Sequence, residues 1–278
     1  MILPGRRGVR SAGVLVLSAV LAAAVAGALL LFGASARSTS ARQLPGGHSD
    51  SAALQVSLPS PLKPSFVPPT PLRLSERETA RWAVVQSPVA ARAQPTLDAP
   101  VVTRLGRLTP EGTSNLVLVL GTQARGSGGV WVRARLPVLP NGTTGWVPRS
   151  ALGGYQFVHT HLVIDLERTT AVLYRQGRPV FQADVGVGKA AWPTPRGEFY
   201  IRNKLVSYRS PSYGPFAFGT SARSVLTDWP AGGFIGIHGT DRPDLLPGRV
   251  SHGCIRLRNS DIVGLARLMP IGTPLTIK

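Results

Sequence analysis

The stretch Phe234–Asn259 reads FIGIHGTDRPDLLPGRVSHGCIRLRN and holds the one cysteine of a 278-residue chain. Two short apolar runs, Phe234–Ile237 and Ile255–Leu257, predict strand ends, and each borders a histidine-glycine pair, His238-Gly239 and His252-Gly253. A free thiol is mostly protonated at neutral pH and becomes a useful nucleophile only beside a base or in a positive field. His252 stands two residues before Cys254, so in an extended segment the two share a face. His238 closes a separate run that a neighbouring strand would bring within hydrogen-bond reach. Gly239 and Gly253 permit close backbone approach and unusual dihedral angles, as a turn of N–H groups that binds an oxyanion requires. The pattern points to covalent acyl transfer through Cys254. Two blander readings compete with it. A lone cysteine without such flanks is a small buried hydrophobe. His238, His252 and Cys254 would also make three zinc ligands, but no fourth is obvious and neither HExxH nor CxxC spacing is present. Asp241 and Asp244 could complete such a site and suit a polar loop equally well.

IHGT, a proline-containing loop, then SHGCIRL followed by Asn259 and Asp261 resemble the L,D-transpeptidases of the bacterial cell wall, with their YkuD-type catalytic domain. PTPRGEF at Pro193–Phe199 is similar to the family's TPxGxF segment, and HLVIDLERTTAVLYRQGRPV at His161–Val180 to its opening hairpin. The resemblance implies that Cys254 attacks the carbonyl of the third residue of a peptidoglycan stem peptide, expels D-alanine, and passes the thioester to an amine of another stem as a 3→3 cross-link. It makes His238 the general base, its ring oriented by the carbonyl of Gly239. The N–H groups of Gly253 and Cys254 become the candidate oxyanion hole, and Ser251, His252 and Arg256 shape the pocket, the arginine facing a substrate carboxylate. Many relatives have Ser or Thr where this chain has Gly239, and some have asparagine where it has Arg256. No metal or organic cofactor is implied. Carbapenem-type β-lactams are the expected inhibitors. With water as acceptor the same residues would make an L,D-carboxypeptidase, and with a protein lysine an anchoring enzyme. A wall-binding protein with an inactive second domain is the non-enzymatic alternative.

From the start of the chain, Arg6, Arg7 and Arg10 precede an uncharged stretch, Ser11–Ala36, long enough to span a bilayer. The arginines predict a cytoplasmic N-terminus with the remainder exported to the cell envelope. Ala34-Ser35-Ala36 also fits a cleavage site, so residues 1–36 read as a retained anchor or a removed signal peptide. Residues 37–79, rich in Ser, Ala and Pro, predict a semi-extended spacer reaching roughly 35 Å as a coil and about 130 Å as polyproline. The net charge is +18, with 31 basic and 13 acidic residues. The basic residues are scattered singly without aromatic interleaving, which argues against nucleic acid and for an anionic wall or envelope polymer.

Residues 80–153 alternate in short runs with turn signals, including Asn141-Gly142, which predicts a two-residue hairpin. WVRARLPVLPNGTTGWVPRSAL resembles the end of a bacterial SH3-like module, implying a small β-barrel that positions the enzyme on the wall or merely spaces it. Trp131 and Trp146 are expected in its core or as a binding platform. Residues 154–278 predict a mainly β domain: strands at His161–Asp165 and Ala171–Tyr174, a turn at Gln176-Gly177, and strands at Pro179–Val187, Glu198–Arg202 and Thr273–Ile277. One helix at Ile262–Met269, capped by Ser260 or Asp261, and a water-excluding flap at Val206–Thr227 complete it. His48, His159 and His161 are expected outside the chemistry.

Overall fold

The computed structural model describes residues 79–125, 129–206, 211–224 and 233–278. The expected membrane or signal stretch, nearly all of the spacer, and His48 lie outside these residues. Among the described residues no helix is long and apolar enough to cross a membrane.

The short alternating runs of the first half become seven antiparallel strands. They are β1 (Ala80–Val84), β2 (Val89–Arg92), β3 (Val101–Leu105), β4 (Leu116–Ala124), β5 (Val130–Arg135), β6 (Thr144–Pro148) and β7 (Gln156–Val158). Their order is β3-β2-β6-β5-β4-β1-β7. Val117, Val119, Val132, Ala134 and Val147 point inward to a core of their own. Trp131 is buried, whereas Trp146 is half-buried. Two expectations are corrected. The sheet does not stop at 153, because β7 pairs with β1. Asn141-Gly142 does not form a two-residue hairpin turn either: it sits in a loop from 136 to 143. There the Asn141 amide donates to the carbonyl of Arg223 at 2.8 Å and accepts from its N–H at 2.9 Å. The side chain that favours a tight turn is spent on a contact with the second sheet.

The second half forms β8 (Thr160–Asp165), β9 (Thr170–Arg175), β10 (Arg178–Asp184), β11 (Gly186–Gly188), β12 (Gly197–Val206), β13 (Phe216–Arg223), β14 (Phe234–His238), β15 (Gly248–Ser251), β16 (Ile255–Arg256), helix α1 (Asn259–Leu268) and β17 (Pro274–Ile277). The strand order is β10-β9-β8-β17-β12-β13-β14-β16-β11-β15. Gln176 and Gly177 both adopt positive φ, 49° and 76°, the geometry that suits a tight β9–β10 hairpin. The single strand expected at Pro179–Val187 is two. β10 pairs with β9, while β11 leaves that edge to lie between β15 and β16.

The helix begins three residues earlier than expected, with Arg258 at its N-cap and no side-chain cap. Ser260 and Asp261, the expected caps, fall inside it, and Asn259 accepts from the N–H of Thr240 at 3.0 Å. The expected flap at Val206–Thr227 is in part ordinary sheet, since Phe216–Arg223 is β13, paired on both edges. A single 3₁₀ turn, Pro211–Tyr213, precedes it.

The two sheets share buried contacts. Tyr200 is fully buried among Ala80, Leu116, Leu118 and Val158, and its hydroxyl donates to the Leu116 carbonyl at 3.1 Å. Burying a side chain of this size stabilises by about 2 kcal/mol. Arg202 and Glu111, both almost wholly buried, pair at 2.8 Å, and the Asn203 amide donates to the same carboxylate at 3.0 Å. The Arg202 guanidinium also lies 3.7 Å from the ring centre of Phe234, the first residue of β14.

Candidate active site

Parallel pairing of β14 with β16 sets the geometry. Ile237 lies opposite Ile255 and His238 opposite Arg256, so the same register brings Gly236 beside Cys254. Successive side chains point to opposite faces of a sheet. Ile235, Ile237, Ile255 and Leu257 therefore enter the core, which leaves Gly236, His238, Cys254 and Arg256 to share the other face. The apolar residues of FIGIH and CIRL are thus what hold the polar ones in place. Cys254 and His238 are diagonal neighbours across the pair. Together with Ser212, Tyr213, Ser251, His252 and Arg256 they line a cavity of about 240 Å³.

Cys254 is half-buried. Burial pushes its thiol up, opposed by the N–H of Gly236, which donates to Sγ at 3.4 Å, and by the charge of Arg256. His238 is 4% exposed, and burial pulls its imidazole down to about 4. The Gly239 carbonyl and Asp241 act the other way, while Arg256 reinforces the fall. At neutral pH the imidazole is uncharged. Nδ1 lies 2.6 Å from the carbonyl oxygen of Gly239; an acceptor there requires the proton on Nδ1, so the lone pair is on Nε2. The resting pair is a neutral thiol beside a neutral base, an arrangement suited to proton removal during attack rather than to a preformed thiolate.

The loop before Cys254 is braced from within. Gly253 has φ +114°, and a Cβ there would come within 3.0 Å of Ile235, so only glycine fits. Its N–H, expected to face an oxyanion, donates to Ser251 Oγ at 3.1 Å, and that hydroxyl donates to the Cys254 carbonyl at 2.5 Å. Ser251 is wholly buried and braces the turn as well as lining the cavity. Thr194 adds a second tie: its hydroxyl donates to the Gly253 carbonyl at 2.7 Å and accepts from the Gly188 N–H at 2.9 Å. On the cavity rim, the ring of Trp192 lies 4.3 Å from that of His252, and the ring of Tyr213 4.6 Å from that of His238.

Arg256 brings a guanidinium whose Nε is buried without a hydrogen-bond partner. Among the described residues no group of three or more His, Cys, Asp and Glu side chains is placed to hold a metal ion. Thr194, Trp192 and Tyr213 were not singled out by sequence reasoning. Thr194 carried a signal in PTPRGEF, whereas Tyr213 had none.

A thiol just ahead of β16 and a buried neutral imidazole at the end of β14 thus share one cleft. Residues 159–277 match the model of the YkuD family, the L,D-transpeptidase catalytic domain. YkuD of Bacillus subtilis is 37% identical over 117 residues, 42% of this chain and 65% of that protein. YqjB of the same organism is 36% identical over 104 residues, 34% of this chain and 56% of that one. The chain thus covers less than two thirds of the length of these relatives. Among solved structures, the catalytic domain from E. faecium L,D-transpeptidase shares 26% identity at a TM-score of 0.35, covering 43% of this chain and 96% of that one. L,D-transpeptidase 3 from Mycobacterium tuberculosis, solved in complex with a faropenem-derived adduct, shares 16% identity at a TM-score of 0.37, covering 59% and 91%.

Proposed function

We propose that this protein is an exported peptidoglycan L,D-transpeptidase that forms 3→3 cross-links through a thioester on Cys254. The observation that supports this most directly is the shared face of His238 and Cys254 around one cavity, with the imidazole neutral and its Nε2 available. As the thiol sulfur forms its bond to the carbonyl carbon of the third stem residue, the thiol proton passes to Nε2. The oxyanion of the tetrahedral adduct is held by backbone N–H groups. With the Gly253 N–H engaged by Ser251, the N–H of Cys254 is the first candidate. Collapse breaks the C–N bond to D-alanine, whose amine takes the proton from His238, now an imidazolium. The acceptor amine then attacks the thioester, loses its proton to His238, and the C–S bond breaks with return of that proton to sulfur.

Arg256, with its charge inside the cavity, is suited to a stem carboxylate, and His252, held by Trp192, to the wall beside it. Carbapenem-type β-lactams would acylate the same sulfur. The Ser11–Ala36 stretch would place the catalytic domain outside the membrane, and the first sheet, as an SH3-like module, would set its position on the wall.

Incubation of the protein with a stem tetrapeptide, followed by intact-mass measurement and assay of free D-alanine, tests the reading. A thioester on Cys254, absent in Cys254→Ala, is the expected result. No adduct and no D-alanine release would overturn it. Release of D-alanine without cross-linked product would instead make water the acceptor.

A further inference from the structure

A second polar concavity lies on the solvent face of the strands β8, β9, β12 and β17, away from the core they cover. It encloses about 500 Å³, roughly twice the cavity at Cys254, and its lining includes His161, Val163, Tyr174, Glu198, Thr276 and Lys278. Pairing register builds it. His161 lies opposite Tyr174, Thr276 opposite Val163, and Glu198 opposite Thr276. Three of these side chains form a chain of hydrogen bonds across three strands. His161 Nε2 lies 2.8 Å from Thr276 Oγ1, and that hydroxyl donates to Glu198 Oε2 at 2.9 Å. Because the threonine proton is committed to the carboxylate, Nε2 is the donor in the first bond. One tautomer of His161 and one rotamer of Glu198 are thereby held in place, which is preorganisation rather than a scatter of surface polarity.

The chemistry of the lining selects a ligand class. A half-buried tyrosine ring offers a flat apolar face with a polar tip, and Val163 extends the apolar floor. Glu198 accepts hydrogen bonds and Lys278 donates them. Neither sign of charge dominates, since the Lys278 ammonium is itself 3.9 Å from Asp165. In a chain of net charge +18, a balanced groove is ill suited to an anion and well suited to a ligand that is uncharged, flat-faced and rich in hydroxyls. Position adds to this. Glu198 is four residues beyond Thr194, whose hydroxyl ties down Gly253, so the groove begins within about 14 Å of chain from the loop that carries the nucleophile.

We infer that this groove binds carbohydrate, namely the glycan strand from which the stem peptides hang. The inference rests on the reading of the substrate as peptidoglycan, and it assigns to the catalytic domain a grip on the polymer separate from the cavity at Cys254. Tyr174 stacks on a sugar ring, and Glu198 and Lys278 bond its hydroxyls.

The test uses full-length Cys254→Ala protein, which removes turnover, and soluble β-1,4-linked N-acetylglucosamine oligomers, an uncharged glycan probe. Calorimetric titration is expected to show saturable binding that weakens at least tenfold in Tyr174→Ala and in the isosteric Glu198→Gln. In parallel, the ring signals of His161 in the otherwise unaltered Cys254→Ala protein are expected to shift on glycan addition, a readout that does not depend on either further variant folding. Absence of binding, binding unchanged in both variants, or shifts of His161 caused by free stem peptide in place of glycan would each overturn the inference. Acylation of the wild-type protein by a tetrapeptide, measured separately, reports on the proposed function alone. Acylation without glycan binding rejects the groove, and glycan binding without acylation rejects the transpeptidase reading.

Discussion

Gly236 holds Cys254 by its sulfur: the glycine N–H donates to Sγ across 3.4 Å. A Cβ placed on Gly236 would sit 3.8 Å from that sulfur and 3.8 Å from Cδ2 of His238, so the missing side chain is part of the space through which thiol and imidazole communicate. The first prediction follows from those distances. Both contacts are of ordinary van der Waals length, so Gly236→Ala should keep acylation within about fivefold. Gly236→Val, with two further carbons in the gap, should lower it by about 100-fold or more, roughly 3 kcal/mol of barrier. Single-turnover acylation by a carbapenem, followed by mass, measures both.

His238 provides a pH prediction with a definite sign. Its folded value of about 4 lies below the ordinary 6.5, so between these values the unfolded chain binds more protons than the folded one. Stability is therefore fully present above pH 6.5 and is lost as pH falls toward 4, by about 3 kcal/mol. Denaturant unfolding at pH 7, 5.5 and 4 should show this slope in the wild type and a flatter one in His238→Gln. Acylation should keep its base down to about pH 4. An acid limb near pH 6.5 would show an imidazole that is not desolvated.

Thr194 donates one hydrogen bond and accepts another, both buried. Thr194→Val keeps its volume and removes both, leaving the Gly188 N–H and the Gly253 carbonyl without that partner. A loss of about 2 kcal/mol in unfolding free energy is expected. Acylation should fall about tenfold, because the Gly253 turn loses its outer tie. Ser251→Ala cuts the inner tie and should behave alike. The double variant should lose less than the two single losses added together, since both ties restrain one loop.

The parts of the molecule that sequence reading reached are those where a local pattern has a local physical meaning. The apolar runs in FIGIH and CIRL, which read as strand ends, are β14 and β16, and His238, His252 and Cys254 beside them line one cavity. Gln176-Gly177 specified a hairpin because two successive positive φ values are needed there. What escaped was decided at a distance. Asn141 reads as a turn residue but bonds the backbone of Arg223, 82 positions away. Ser260 and Asp261 do not cap the helix, because it already starts at Asn259, whose side chain accepts from the distant N–H of Thr240. Ser251 lines the cavity, but that its hydroxyl also ties the backbone of the next turn is something no spacing shows. No spacing rule could announce Tyr213, whose ring meets His238 only because β13 and β14 are neighbours.

The buried pair of Arg202 and Glu111 offers a test of how firmly the two sheets are joined. Nε and Nη1 of Arg202 have no hydrogen-bond partner, so Glu111 is its principal electrostatic support. Glu111→Ala should cost about 3–5 kcal/mol by leaving the guanidinium buried and uncompensated. Arg202→Met combined with Glu111→Leu should recover most of that. Denaturant curves followed by tryptophan fluorescence would report both, with Glu111→Ala expected to separate one transition into two.

Phe234 lies under the guanidinium groups of both Arg202 and Arg223 and is also where the strand ending in His238 begins. Drift in the loop that carries Glu111 is therefore felt at the foot of β14, four positions from the imidazole. A substitution in the N-terminal sheet that shifts Arg202 thus bears on the same mechanical part as one made beside His238 itself.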